Sequence, residues 1–423
     1  MRPAPLTRDA GRAAQFSWCL YDWANSAFPT VIVTFVFAAY FTQSIAPDAI
    51  TGTAQWGIAL SLSGIAIAIV SPIVGAIADK DGRRKPWLAG CTALCAVCAA
   101  ALWLARPDAA FTVLALALFA LANFAFEVGV VFYNAMLPTI AAPRRLGRLS
   151  GWGWGLGYAG GLACLLVAFA FVQPETAPFG LDKQAAEHVR IVGPLVALWF
   201  VLFAIPLFRF TPDGVASGLS VAASVRGGLA EFRDTLRRLH RLGPVGRFLL
   251  ARLLYIDGLN TLFAFGGIYA AGTFGMGFGE IIQFGIALNV TAGLGAAAFG
   301  WIDDHIGPKR TVLISLCAIV ALGVPLLLIE SKTGFWALAL GLGVFMGPAQ
   351  AASRSLMARL APPDQLGAMF GLFAFSGKIT AFLGPAVLAT VTTAFGSQRA
   401  GMATVIAFIA AGGLILVGVR EEK

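Results

Sequence analysis

Charge is what this sequence has least of. Only 12% of its 423 residues are Asp, Glu, Lys or Arg, about half the roughly 25% usual in a soluble domain, while 58% are hydrophobic and the mean hydropathy is +0.81. That balance excludes soluble enzymes, nucleic-acid-binding proteins and disordered scaffolds. Histidine is scarce as well: His188 and His240 fall between apolar runs and His305 in a short basic motif, so none has the company a metal site needs. The six cysteines all lie inside apolar stretches and suggest no disulfide framework. Cys91, Cys95 and Cys98 share a helical face, open to reading as soft metal ligands. With no His or acid beside them in sequence, packing between membrane helices is the favoured reading, and no cofactor or metal is expected. The polar stretch Met1 to Gln15, with Arg2, Arg8 and Arg12, lacks the apolar core of a signal peptide. It is expected to be kept, facing the cytoplasm.

What fills the chain is long apolar runs, near residues 17–42, 54–78, 86–105, 110–137, 150–172 and 191–210, then 248–271, 279–302, 311–329, 334–359, 366–394 and 400–419. A helix needs about 20 residues to cross the hydrocarbon. The runs are continuous rather than alternating, and only helices or closed barrels satisfy the backbone in lipid. The expected fold is therefore an all-α integral membrane protein of twelve transmembrane helices, arranged as two pseudo-symmetric six-helix bundles. Residues 1–210 form the N-terminal bundle, 211–247 a linker, and 248–423 the C-terminal bundle. In the linker, Leu229, Phe232, Leu236 and Leu239 recur at helical spacing opposite Arg233, Arg237 and Arg238. This suits either an amphipathic helix on an anionic leaflet or a solvated basic connection.

Basic residues near span ends are retained in the cytoplasm. Of the 30 Lys and Arg, 22 fall on the side of the N-terminus, five on the other, and three within spans. An even span count then puts both termini inside.

Internal repetition carries the most information. Gly75-Ala-Ile-Ala-Asp79-Lys-Asp-Gly82-Arg83-Arg84-Lys85 recurs as Gly300-Trp-Ile-Asp-Asp304-His-Ile-Gly307-Pro-Lys309-Arg310, each copy joining a second and a third span. Asp22 and Asn25 in span 1 match Asp257 and Asn260 in span 7. Pro143, Leu146, Gly147, Gly151 and Gly157 match Pro363, Leu366, Gly367, Gly371 and Gly377. Three matches in the same order mean duplication. Two six-span halves in parallel duplication are the plan of major facilitator transporters, whose substrate binds near the midplane between the halves.

The Gly75 to Lys85 motif resembles that superfamily's signature between spans 2 and 3, and the Gly300 to Arg310 copy resembles its weaker partner. The resemblance implies a gating role, with Asp79 and Asp304 set against helix ends and basic residues at the cytoplasmic junction of the bundles. A finer resemblance rests on Tyr21-Asp22-Trp23-Ala24-Asn25-Ser26, Tyr133-Asn134-Ala-Met-Leu137-Pro138, Ser150-Gly151-Trp-Gly-Trp-Gly-Leu-Gly157-Tyr158 and Ser353-Arg354-Ser355. Together these are similar to the autophagy-related vacuolar effluxer family and its bacterial relatives. The resemblance implies export of amino acids, the cargo in which fungal members are implicated.

Ionisable groups inside a span are costly and mark function by default. Here they are Asp22, Glu127, Arg252, Asp257, Arg354 and Lys378. Asp257 and Lys378 lie near mid-membrane; Arg252 and Arg354 are near enough to the surface to snorkel. Three acids and three bases can also form structural ion pairs. The superfamily resemblance implies that spans 1, 4, 7 and 10 line the cavity, which favours Asp22, Glu127 and Asp257 there. Low dielectric raises a carboxylate's proton affinity and a nearby cation lowers it, so Asp257, with Glu127 or Asp22, is the expected proton coupler. A zwitterion also needs a cation and polar neighbours, which Asn25, Tyr133, Asn134, Tyr255, Asn260, Gln350 and Lys378 supply unless they serve to bond helix to helix. Lys378 stands out because its repeat mate is Tyr158.

Gly155-x-Gly157-x-x-Gly160 matches a dinucleotide fingerprint but lies within a span with no strand before it; it reads as helix packing. Pro29 and Gly384-Pro385 read as kinks or hinges. The expected function is secondary active transport of a small polar solute, amino acids first, by proton-coupled export across a bacterial inner membrane. The expected form is a monomer in the lipid bilayer, with no enzymatic activity and no nucleic-acid partner. A multidrug/proton antiporter is the alternative, although span 5 has Gly157-Tyr158 where those carry Gly-Pro. A non-transporting receptor or scaffold is the alternative of another class.

Overall fold

The computed structural model describes residues 9–173, 178–237 and 243–420. Among them there is no strand, and twelve helical spans are long and apolar enough to cross a membrane: Arg12–Ile45, Ala49–Asp81, Lys85–Leu104, Ala109–Ile140, Pro143–Val172, Glu187–Phe210, Pro244–Phe274, Gly279–Ile306, Pro308–Leu328, Lys332–Leu360, Leu366–Phe395 and Gln398–Val417. They are numbered 1 to 12 below. Large apolar side chains stay exposed on their outer faces, Val97 at 66%, Leu198 at 66% and Leu414 at 75%. Such faces are stable only against hydrocarbon, so the chain is an integral, multi-pass membrane protein.

The helices outrun the apolar segments read from sequence. Span 2 continues to Asp81 and span 3 begins at Lys85, so most of the Gly75 to Lys85 motif is helix end rather than loop. Gly82 turns the chain with φ +84°, a left-handed conformation that disfavours a side chain.

Two spans are irregular where proline predicts it. In span 1 the α-helix stops at Asn25 and π-turns run over Phe28–Phe35. Span 11 is two helices, Leu366–Lys378 and Leu383–Phe395, with the break just before Gly384-Pro385. Discontinuous spans of this kind place helix termini inside the membrane, where they meet polar groups.

The segment after span 6 straps over the first basic motif. Asp213 accepts hydrogen bonds from the backbone N–H of Arg84 at 2.9 Å and Lys85 at 3.1 Å, capping span 3. The Ser217 N–H donates to the Asp81 carbonyl at 2.9 Å. The helix Val221–Arg237 then packs on span 2, where Lys80 pairs with Glu231 at 2.7 Å. Phe232 faces the core and Leu229 is exposed. Arg238, Leu239 and His240 lie outside the described residues.

Candidate functional site

The two halves of the chain meet most extensively at one end, the end that carries the basic motifs, through span 2 against the first piece of span 11 and span 5 against span 8. Both junctions repeat one device. The Asp79 carboxylate accepts from the backbone N–H of Gly367 at 2.8 Å and of Ala368 at 2.9 Å, at the N-terminus of span 11. Arg84 reaches it at 3.1 Å. The Asp304 carboxylate accepts from the Gly147 N–H at 2.9 Å, at the N-terminus of span 5, and from Arg148 at 3.2 Å. An acid against a helix N-terminus satisfies orphan donors and the positive end of the helix dipole together. This is why each motif needs an aspartate.

Its leading glycine has a different cause. A Cβ on Gly75 would come 2.1 Å from the Gly367 carbonyl oxygen. At the other junction a Cβ on Gly300 would come 3.0 Å from Arg148 Cα. Gly307 turns the second motif as Gly82 turns the first. Lys85 and Lys309 donate to the carbonyls of Phe208 and Val417, while Arg83 and Arg310 are exposed.

Deeper in the membrane, the residues behind the finer family resemblance converge on one guanidinium. Arg354 of span 10 pairs with Asp22 of span 1 at 3.0 Å and donates to Asn134 of span 4 at 3.3 Å. It also donates to the Ser150 Oγ of span 5 at 2.9 Å and to the Ser150 carbonyl at 2.7 Å. Trp18, Tyr133 and Trp154 surround it, the nearest ring centre at 4.8 Å. Trp18 and Tyr133 stack at 4.4 Å, and the Tyr133 hydroxyl donates to the Trp18 carbonyl. A Cβ on Gly153 would come 2.5 Å from Asp22 Oδ2, so the glycine lets the pair form. Asn25 is buried beside it in span 1 and accepts from Ser26.

Neither intramembrane arginine snorkels, against the expectation from sequence. Arg354 is 3% exposed and Arg252 8%. Arg252 lies 3.5 Å over the Phe373 ring and donates to the Phe373 carbonyl and Ser376 Oγ. Burial between the halves for Arg354, and between spans 7 and 11 of one half for Arg252, gives each guanidinium closer partners than the headgroups.

Lys378 of span 11 pairs with Glu127 of span 4 at 2.6 Å. Asp257 of span 7 has no cation partner among the described residues. Its Oδ2 accepts from the Gly384 N–H at 2.8 Å, at the start of the second piece of span 11, while its Oδ1 and the neighbouring Thr261 hydroxyl are buried without partners. Tyr255 hydrogen-bonds Ser353 at 2.6 Å.

A central cavity of about 490 Å³ lies between the halves and extends away from the basic end toward Thr34, Phe35, Gly267 and Ile281. Of the residues expected to bind solute, Asn260 and Gln350 line it. Asp22, Asn25, Glu127, Tyr133, Asn134, Asp257 and Lys378 are not in its wall. Sequence reasoning passed over Ser26, Thr30 and Thr34, although their four-residue spacing marks one face of span 1, and Asn289, an amide inside the apolar run of span 8. Tyr158 contributes its hydroxyl, 3.4 Å from Gln350.

Twelve spans, two halves docked by paired acid-on-helix contacts, and a cavity between them define a major facilitator transporter rather than an enzyme. The family model described as "Vacuole effluxer Atg22 like" matches residues 44–423, and the chain belongs to that family. It is similar to the uncharacterized MFS-type transporter YxiO of Bacillus subtilis, 27% identical over 96% of this chain and 94% of that protein. It also resembles autophagy-related protein 22 of Cryptococcus neoformans, 26% identical over 60% of this chain but only 47% of the fungal protein. Among solved structures, the human organic anion transporter MFSD10 superposes with a TM-score of 0.73 at 16% identity, covering 96% of this chain and 99% of that one. The outward-facing bacterial homologue of the iron transporter ferroportin gives 0.68 at 14% identity, covering 96% and 98%. At these identities the structures speak for the fold.

Proposed function

We propose that this transporter exports a small polar solute, amino acids first, by alternating access coupled to protons. In this reading residues 1–210 and 248–423 are the two rocking bundles and 211–247 their tether. The basic end faces the cytoplasm of a bacterial cell, both termini lie on that side of the inner membrane, and a monomer suffices.

The observation that carries the reading is the set of ion pairs spanning the halves. Glu127–Lys378 and Asp22–Arg354 each hold one charge on either half, so rocking loads both and, at the barer Glu127–Lys378, exposes the acid to a new environment. Asp257, buried with no cation to offset it among the described residues, is the third acid of the cycle, because keeping a lone charge in that position is costly. Asp79 and Asp304 act as latches that hold the basic end shut. The cavity wall is polar but uncharged at Ser26, Thr30, Asn260, Asn289 and Gln350, which offers hydrogen bonds to a small polar solute.

A drug/proton antiporter is the second reading, favoured by Phe35, Phe263, Phe284 and Met346 in the same wall. Uptake into proteoliposomes under an imposed pH gradient decides. Amino acid accumulation is expected, abolished by Asp257→Asn and impaired by Glu127→Gln. Transport untouched by both substitutions sinks the coupling. Absence of flux for every amino acid, with flux of amphipathic cations, establishes the second reading. A protein that binds solute but shows no flux at all is a receptor.

A further inference from the structure

A fissure of about 890 Å³, larger than the central cavity, opens on the membrane-facing surface between spans 1, 5 and 8. Its walls are apolar, with Phe16, Leu166 and Leu294 exposed at 60%, 63% and 67%. Along span 5 it runs from Arg148 to Leu166, roughly 27 Å at the helical rise, most of the hydrocarbon thickness. Its end on the basic side is different in kind. Arg12, Arg145 and Arg148 line it there, and among the described residues no carboxylate does. Arg145 pairs with Asp9 and Arg148 with Asp304, while Arg12 has no acidic partner among the described residues. The mouth therefore keeps a positive charge above an apolar slot that spans much of the bilayer.

We propose that this fissure seats an anionic phospholipid of the leaflet at the basic end, its phosphate among Arg12, Arg145 and Arg148 and an acyl chain along span 5. A neutral solute has no use for three arginines, and a free anion has none for the slot. An anionic head on an apolar tail uses both. The placement matters for the transporter. Arg148 also holds Asp304 at the junction of spans 5 and 8, so a phosphate beside it competes for the same guanidinium. Tyr158 and Asn289 line both the fissure and the central cavity, so the deep end of a seated tail lies against the cavity wall.

The full chain is reconstituted in phosphatidylcholine vesicles doped with phosphatidylglycerol, and the lipid retained after extraction is counted by native mass spectrometry. One phosphatidylglycerol per chain is expected in preference to phosphatidylcholine. Arg12→Gln should lower its occupancy about fivefold, the factor equivalent to roughly 1 kcal/mol per basic residue near a membrane. Ala163→Phe or Ala159→Phe, which fill the slot without changing charge, should lower it comparably. Arg226→Gln, on the exposed face of the linker helix, should leave it unchanged. Equal retention of both lipids overturns the proposal. So does loss on Arg12→Gln with none on either filling substitution, which would mean surface attraction alone, or an equal loss on Arg226→Gln.

Discussion

Among the described residues two ion pairs join the halves of this transporter within the membrane, and they are built in opposite ways. Around Arg354 the acid, an amide, a hydroxyl, a backbone carbonyl and three aromatic rings take up the guanidinium, and its side chain is 4% exposed against 14% for Asp22. Glu127 and Lys378 have one another and no other side-chain partner among the described residues, at 22% and 29% exposure. The difference is one of commitment. A caged pair repays its desolvation only while every neighbour stays in place. A bare, partly wet pair opens at little cost. The first suits a staple of one conformation and the second a contact made and broken in each cycle.

The sharpest way to break this comparison is Asp22→Asn. Removing one partner leaves Arg354 charged in a dry cage, a loss of about 3–5 kcal/mol that should appear as a large fall in the thermal unfolding midpoint of the purified protein. The double substitution Asp22→Asn with Arg354→Met should recover part of that loss, because no buried charge is then left unpaired. If the double variant is no more stable than the single one, the cage holds by packing rather than by charge.

The same question can be put to the two junctions by changing packing and leaving every charge in place. Gly75→Ala forces a Cβ to within 2.1 Å of the Gly367 carbonyl, whereas Gly300→Ala meets nothing closer than 3.0 Å. Overpacking of a tight contact costs about 1–3 kcal/mol, so Gly75→Ala should open the basic end in about 10-fold or more of the molecules that Gly300→Ala does. Spin-label distances across that end would read the shift. Equal effects at the two sites would mean that the junctions do not carry the closed state.

These contrasts also show how far the sequence could be read. Span number, duplication and the two motifs were legible because hydrocarbon thickness, backbone satisfaction and the glycine contact each demand a fixed residue type at a fixed spacing. The cage was half legible. Asp22, Asn134, Ser150 and Arg354 were visible as polar groups in spans, yet their convergence is a matter of rotation about four helix axes, which spacing along one chain does not encode. For that reason spacing alone leaves Tyr133 and Asn134 open between solute contact and helix-to-helix bonding, and the structure sets both against Arg354. The cavity wall was least legible: Thr30 and Thr34 look like ordinary helix hydroxyls until span 1 is turned to face the centre. Asp213 was missed because a cap supplied from a distant segment leaves no local pattern.

Glu127→Gln sharpens the comparison from the other side, with the smallest expected effect on stability. The pair it removes is partly exposed and carries a single contact, 2.6 Å long, so the cost should be about 1 kcal/mol or less. Lys378 ends the first piece of span 11, where the helix dipole favours a cation, and that leaves it tolerated without its acid. The functional effect should run the other way. If Glu127–Lys378 is made and broken as the halves rock, Glu127→Gln should change the rate of gradient-driven flux while leaving the unfolding midpoint within a few degrees. Glu127→Asp, shorter by a methylene, should retain part of the flux. A Glu127→Gln protein as destabilised as Asp22→Asn would mean that both pairs are staples. Proton coupling would then fall to Asp257, which has no cation beside it among the described residues.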